Sequence, residues 1–232
     1  MIFRQLFDAD SWTYTYLLVD DATGEALIID PVREQVSRDL TLISELGATL
    51  KFVLDTHVHA DHITGAGALS ERTGAVTVAS EEGATCVQRP IAHGDELFIG
   101  QLQIKALGTP GHTADSLSYY LPGHVFTGDA LLIRGTGRTD FQNGNSEQLY
   151  QSITKVLFDL PDETRVWPGH DYRGLTVSTI GEEKRFNPRV SGKSKEEFVS
   201  IMADLKLAAP KHIQVAVPAN LACGRDTNGP VA

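Results

Sequence analysis

Thr56-His57-Val58-His59-Ala60-Asp61-His62 comes one residue after an apolar run, Phe52-Val53-Leu54, and sets three histidines and a carboxylate within six residues. Imidazole is the commonest protein metal ligand, and a cluster this dense makes a demand on the backbone. On a helix, residues two apart point to nearly opposite sides; on an extended segment they share a face. His57 and His59 therefore reach one point only if a strand ends here and opens into a loop, whose next turn brings Asp61 and His62 to the other side. A solvated His-rich loop is the alternative, and the downstream sequence weighs against it.

Similar contexts recur there: Thr109-Pro110-Gly111-His112, Phe126-Thr127-Gly128-Asp129 and Trp167-Pro168-Gly169-His170. Each comes after a short β-rich segment and carries a glycine just before the polar residue, which permits a sharp turn. Ligands at the ends of several strands are how a scaffold converges side chains on one site. The pattern HxHxDH…H…D…H resembles the metallo-β-lactamase superfamily over most of the chain. That resemblance implies an α/β fold, an αββα sandwich with a short C-terminal helical extension.

The chain's 232 residues suffice for one sizeable core. One domain spanning 1–232 is expected, with about 175–232 as an extension packed on it. A net charge of −10 argues against nucleic acid as a partner. The chain shows neither an 18-residue apolar run nor a basic start followed by an apolar stretch, so a cytoplasmic protein with no membrane partner is expected. Cys86 and Cys223 lie 137 positions apart with no C-x-x-C unit; unpaired thiols in a reducing compartment are the simpler expectation.

Periodicity gives a mixed order of elements. Strands are expected at 2–7, 13–19, 26–29, 50–54 and 76–79, with hairpins over 96–107 and 117–127. Helices are expected at 33–46, 64–72, 146–160 and 177–186, and from a capping box at Ser194-Lys195-Glu196-Glu197. Residues 134–145 hold three glycines and little periodicity, which marks a functional loop. His93, His124 and His212 read as surface or capping residues, and the polar tail after Asn220 as frayed.

Two chemistries fit the seven candidate ligands. In a two-metal hydrolase resembling glyoxalase II, His57, His59 and His112 would hold one ion, Asp61, His62 and His170 the other, and Asp129 would bridge them. In a redox site, two histidines and one carboxylate would hold a single iron with open positions. Spacing alone rejects neither. A closed structural or sensory metal site is a third class, and it would not need the loop at 134–145.

Other residues separate them. Ile133-Arg134-Gly135-Thr136-Gly137-Arg138-Thr139-Asp140-Phe141-Gln142 closely resembles the signature loop of the persulfide dioxygenase family. His170-Asp171-Tyr172-Arg173-Gly174-Leu175-Thr176-Val177-Ser178-Thr179, Asn187-Pro188-Arg189 and Ala216-Val217-Pro218-Ala219-Asn220 resemble its later motifs. Thr136 and Asn145 stand where that family often has cysteines. The resemblance implies one Fe(II) per chain, bound by His57, His112 and Asp129. His59, Asp61, His62 and His170 would orient those ligands. It also implies conversion of glutathione persulfide, O2 and water to sulfite and glutathione, with a homodimer as a candidate assembly. Arg138 is a candidate to grip a substrate carboxylate, or else to pair with Asp140 and stiffen its loop; Tyr172 is a candidate substrate contact, or else a packed ring.

Overall fold

In the computed structural model, which describes residues 1–208 and 212–225, the first strands form an antiparallel ladder. β1 (Ile2–Asp8) pairs with β2 (Thr13–Val19), Ile2 opposite Val19 and Asp8 opposite Thr13, and β2 pairs with β3 (Glu25–Ile29). Every residue of β2 is buried, as its aromatic and aliphatic content requires. β4 (Thr49–Leu54) lies parallel to β3, and a parallel step needs a long crossover. A 3-10 turn at Arg33–Gln35 and helix α1 (Val36–Glu45) supply it. α2 (Ala66–Thr73) ends at Gly74, whose φ of 75° makes the left-handed cap. It leads to β5 (Val76–Ser80) and β6 (Arg89–Ile91), which complete a six-stranded sheet in chain order. Val36 and Ile43 of α1 and Leu69 of α2 pack on Leu17, Ile28 and Val53 in this core.

A second six-stranded sheet is built from β7 (Glu96–Ile99), β8 (Leu102–Gly108), β9 (Leu117–Leu121), β10 (His124–Gly128), β11 (Arg165–Pro168) and β12 (Ser178–Thr179), adjacent in that order. β11 runs parallel to β10 after α3 (Ser146–Gln151) and a π-helical turn at Ser152–Leu157. Leu149, Ile153 and Leu157 pack on Val125 and Val166 with Phe198 of α5 (Lys195–Ala203) and Ile180 of α4 (Ile180–Phe186). α6 (Ile213–Leu221) is the last helix described. The chain divides into two compact units. One holds Met1–Ile91, Leu97–Gln103 and the described residues from His212 onward; the other holds Ala92–Glu96 and Ile104–Ala208. No described helix is long and apolar enough to cross a membrane.

Several expectations change. Helix 177–186 is shortened: Ser178 and Thr179 pair with β11, and Thr179 then caps α4 by accepting from Glu182 N. The helix expected to Leu160 is α-helical only to Gln151. Residues 215–220, which hold one of the quoted C-terminal motifs, lie in helix α6 despite Pro218, and His212 is the residue before that helix. β6, with a proline inside it, was not expected, and it fits an edge strand. The expectation of unpaired thiols is corrected. Cys86 and Cys223 are joined as a disulfide, with Cα atoms 5.9 Å apart. Distance along the chain carries no information about this pair, because α6 folds back onto the segment after the histidine cluster. Most of the polar tail expected to fray lies outside the described residues.

Candidate metal centre

In the first unit, β4 ends at Leu54 and the chain opens into the histidine loop, where His57, His59 and His62 are all buried. Asp30, just past β3 at a φ of 50°, grips the start of that loop. Its Oδ1 accepts from Thr56 N at 2.7 Å and from His59 Nε2 at 3.1 Å, and its Oδ2 from Thr56 Oγ1 at 2.9 Å. With the Thr56 proton committed to Asp30, His57 Nδ1, 2.9 Å away, must donate to Thr56 Oγ1. That tautomer leaves the lone pair on His57 Nε2. His62 Nδ1 donates likewise to Asp61 Oδ2 at 2.9 Å. The ring centroids of His57 and His59 are 4.1 Å apart, and those of His59 and His62 are 4.4 Å apart.

The donor set fits a cation. His59, Asp61 and His62 each offer a ligand atom, and these lie within 4.8 Å of one another. His59 Nδ1 and His62 Nε2 are buried with no hydrogen-bond partner. Orphaned polar atoms inside a protein call for an explanation, and a cation at or beside this cluster supplies one. Burial pulls the His59 imidazole down, but the field of Asp30, with Asp61 and Asp55, outweighs it and holds the ring up to about 9. That field favours positive charge at this place, whether proton or metal.

In the second unit, three strand ends deliver the other candidate ligands. His112 comes after β8, Asp129 after β10 and His170 after β11, so the last two come from adjacent parallel strands. His112 Nδ1 donates to the Arg138 carbonyl at 2.7 Å, which leaves the lone pair on Nε2, 3.6 Å from Asp129 Oδ2. The other Asp129 oxygen accepts from His170 Nδ1 at 2.6 Å. His112 and Asp129 keep 12% and 14% of their side-chain surface, enough for a small ligand to reach them. The ring of Tyr172 stacks on His170 at 6.1 Å and is otherwise exposed.

The glycine-rich loop holds this half in place. Gly137 N donates to Asp129 O at 2.7 Å. Glu183, fully buried, takes Arg134 N, the Arg134 guanidinium, Ser178 Oγ and Asn187 Nδ2. Arg138 is engaged twice over: Nε and Nη2 donate to Asp140 at 2.6 and 2.7 Å, and Nη1 donates to Ala208 O. The structure thus gathers His57, His59, Asp61 and His62 in one unit, and His112, Asp129 and His170 in the other. Reading the sequence passed over Asp30 and Glu183. Asp30 had a signal, an acid directly before a proline at a strand end; Glu183, inside an ordinary polar helix, had none.

The metallo-β-lactamase superfamily model matches residues 13–85 and 87–170. A persulfide dioxygenase, the mitochondrial ETHE1 of Homo sapiens, is 46% identical over 98% of this chain and 90% of its own length. The chain belongs to the persulfide dioxygenase family of the metallo-β-lactamase superfamily. The crystal structure of ETHE1 from Myxococcus xanthus superposes with a TM-score of 0.96 at 64% identity, covering 97% of this chain and all of that one. A metallo-β-lactamase from Staphylococcus aureus is also similar, with a TM-score of 0.91 at 28% identity over all of this chain and 75% of that one. Both carry the fold expected from the ligand pattern.

Proposed function

We propose that the chain is an iron-dependent persulfide dioxygenase, taking glutathione persulfide, O2 and water to sulfite and glutathione. The observation that carries this reading is 46% identity, over nearly the whole chain, to relatives named persulfide dioxygenase. Those relatives favour it over a dinuclear thioester hydrolase. One Fe(II) per chain would be held by His57, His112 and Asp129. Two imidazoles and a carboxylate leave positions open for substrate, and iron supplies the redox chemistry that zinc lacks.

The chain's own residues prepare that set. Thr56 fixes His57, and the Arg138 carbonyl fixes His112, each with Nε2 left as ligand nitrogen. His170 occupies one oxygen of Asp129 and leaves the other for the metal. His59, Asp61 and His62 supply a polar, cation-favouring wall beside His57. A substrate with two carboxylates meets a protein of net charge −10, so a local cation is needed. Arg138 would take a carboxylate in exchange for Asp140, with Tyr172 as a second contact.

Anaerobically purified protein should carry about one iron per chain, and its O2 uptake and sulfite release should depend on glutathione persulfide. His112→Ala should abolish both, whereas His62→Ala should lower activity roughly 10- to 100-fold while iron is retained. Two zinc ions per chain, with thioester hydrolysis and no O2 uptake, would overturn the reading.

A further inference from the structure

The loop that carries four of the seven candidate ligands is held at its start by Asp30 and at its far end by a residue from the other end of the sequence. Asn220, on the last turn of α6, is 3% exposed. Its Nδ2 donates to His59 O at 2.9 Å and to His62 O at 2.8 Å, and its Oδ1 accepts from Thr64 N at 2.9 Å. One amide thus fastens three backbone groups within six residues of the histidine loop. The neighbouring backbone continues the contact: Gly67 N donates to Cys223 O at 2.9 Å. Gly224 sits so close that a Cβ there would collide with the Thr64 carbonyl. The Cys86–Cys223 disulfide ties the same turn to the loop after β5.

We propose that Asn220 is a positioning residue of the metal centre, one that sets where the His59–Thr64 backbone stands and hence how His57 presents its ligand nitrogen and where His59 and His62 stand beside it. The chemistry suits an amide and nothing else of that shape. The two carbonyls need two N–H donors from one atom, and the Thr64 amide needs an acceptor on the other branch. Aspartate in place of Asn220 would keep the acceptor but oppose two carbonyl dipoles with a carboxylate oxygen. Alanine would leave three buried backbone groups unpaired, and such groups cost more than the hydrogen bonds they replace. Metal ligands that lose their supporting contacts bind metal about 10–100-fold more weakly. The inference rests on reading the histidine cluster as a metal site, and its test separates the two.

Metal-free wild type, Asn220→Asp, Asn220→Ala and Ser194→Ala are titrated with Co(II), following affinity and visible absorption, and thermal midpoints are recorded. Ser194 caps α5 in the other unit, so Ser194→Ala controls for lost stability alone. Expected are a 10–100-fold loss of Co(II) affinity and a shifted absorption band in both Asn220 variants, with neither in Ser194→Ala. Asn220→Asp matches asparagine in shape and keeps the test open where Asn220→Ala fails to fold. Co(II) affinity within twofold of wild type and an unchanged band in Asn220→Asp would overturn the proposal while leaving the metal reading intact. Wild type that binds no Co(II) would reject the metal reading and the positioning role with it.

Discussion

A methyl group on Gly137 would collide with the Asp129 carbonyl and lie 2.7 Å from His112 Nδ1. The loop therefore approaches both candidate ligands as closely as a chain can. Gly137→Ala should push the loop off Asp129, break the hydrogen bond from His112 to the Arg138 carbonyl, and lower iron affinity on the order of 10-fold. Anaerobic iron titration measures it; unchanged affinity would show that the loop does not hold His112. Arg138 acts through its side chain as well. Losing a charge-assisted contact is worth about 1.5–3 kcal/mol, so Arg138→Ala should raise KM roughly 10- to 100-fold while iron stays bound, with Arg138→Lys recovering only part. Loss of iron with KM unchanged would instead assign Arg138 to bracing its loop, the role its bonds to Asp140 and Ala208 already support.

At the scale of elements, the Cys86–Cys223 bridge closes the longest covalent loop in the chain, 137 residues. Opening it should cost about 2–5 kcal/mol, mostly by freeing the unfolded chain. Denaturant unfolding with and without reductant checks this, and Cys223→Ser should match the reduced protein. This bridge also shows where reading a sequence stops. Strands such as β2 and helices such as α1 announce themselves by local period, because each buries one face within a few residues. The candidate ligands were legible for the same reason, as each group of them follows a readable strand. What the sequence hid is contact between distant segments. Asn220 against His59, Glu183 against Arg134 and Cys86 against Cys223 are pairs with no local period to betray them. Where a local signal misled, at Ser178 and Thr179, strand pairing with β11 overrode helical propensity.

On the scale of the whole molecule, the response to pH is set partly by a buried acid in α1 that is not among the candidate ligands. Asp39 in α1 is fully buried, and burial pushes its carboxyl up to about 6 against the pull of Arg38. A carboxyl whose folded pKa lies above the unfolded value is penalised once it ionises. Its contribution is therefore fully present below the ordinary value of 3.8 and is lost as pH rises through about 6. At about 1.4 kcal/mol per unit the penalty near neutrality is roughly 3 kcal/mol. Asp39→Asn should thus raise the unfolding free energy at pH 7 by about that amount and leave it unchanged near pH 4; Arg38 keeps its bond to the Phe7 carbonyl. Equal stabilisation at both pH values would mean that packing, not charge, sets the cost.

The reach of Asn220 to His59 spans 161 residues, and contacts of such span form late because the intervening chain must first be closed. On the ribosome, residues 1–91 emerge while Asn220 is still unmade, so the nascent histidine loop has its Asp30 anchor but not its second one. Its backbone carbonyls at His59 and His62 stay in water until the C-terminal turn arrives. Metal delivery to a finished site thus waits until Asn220 has been made and folded back.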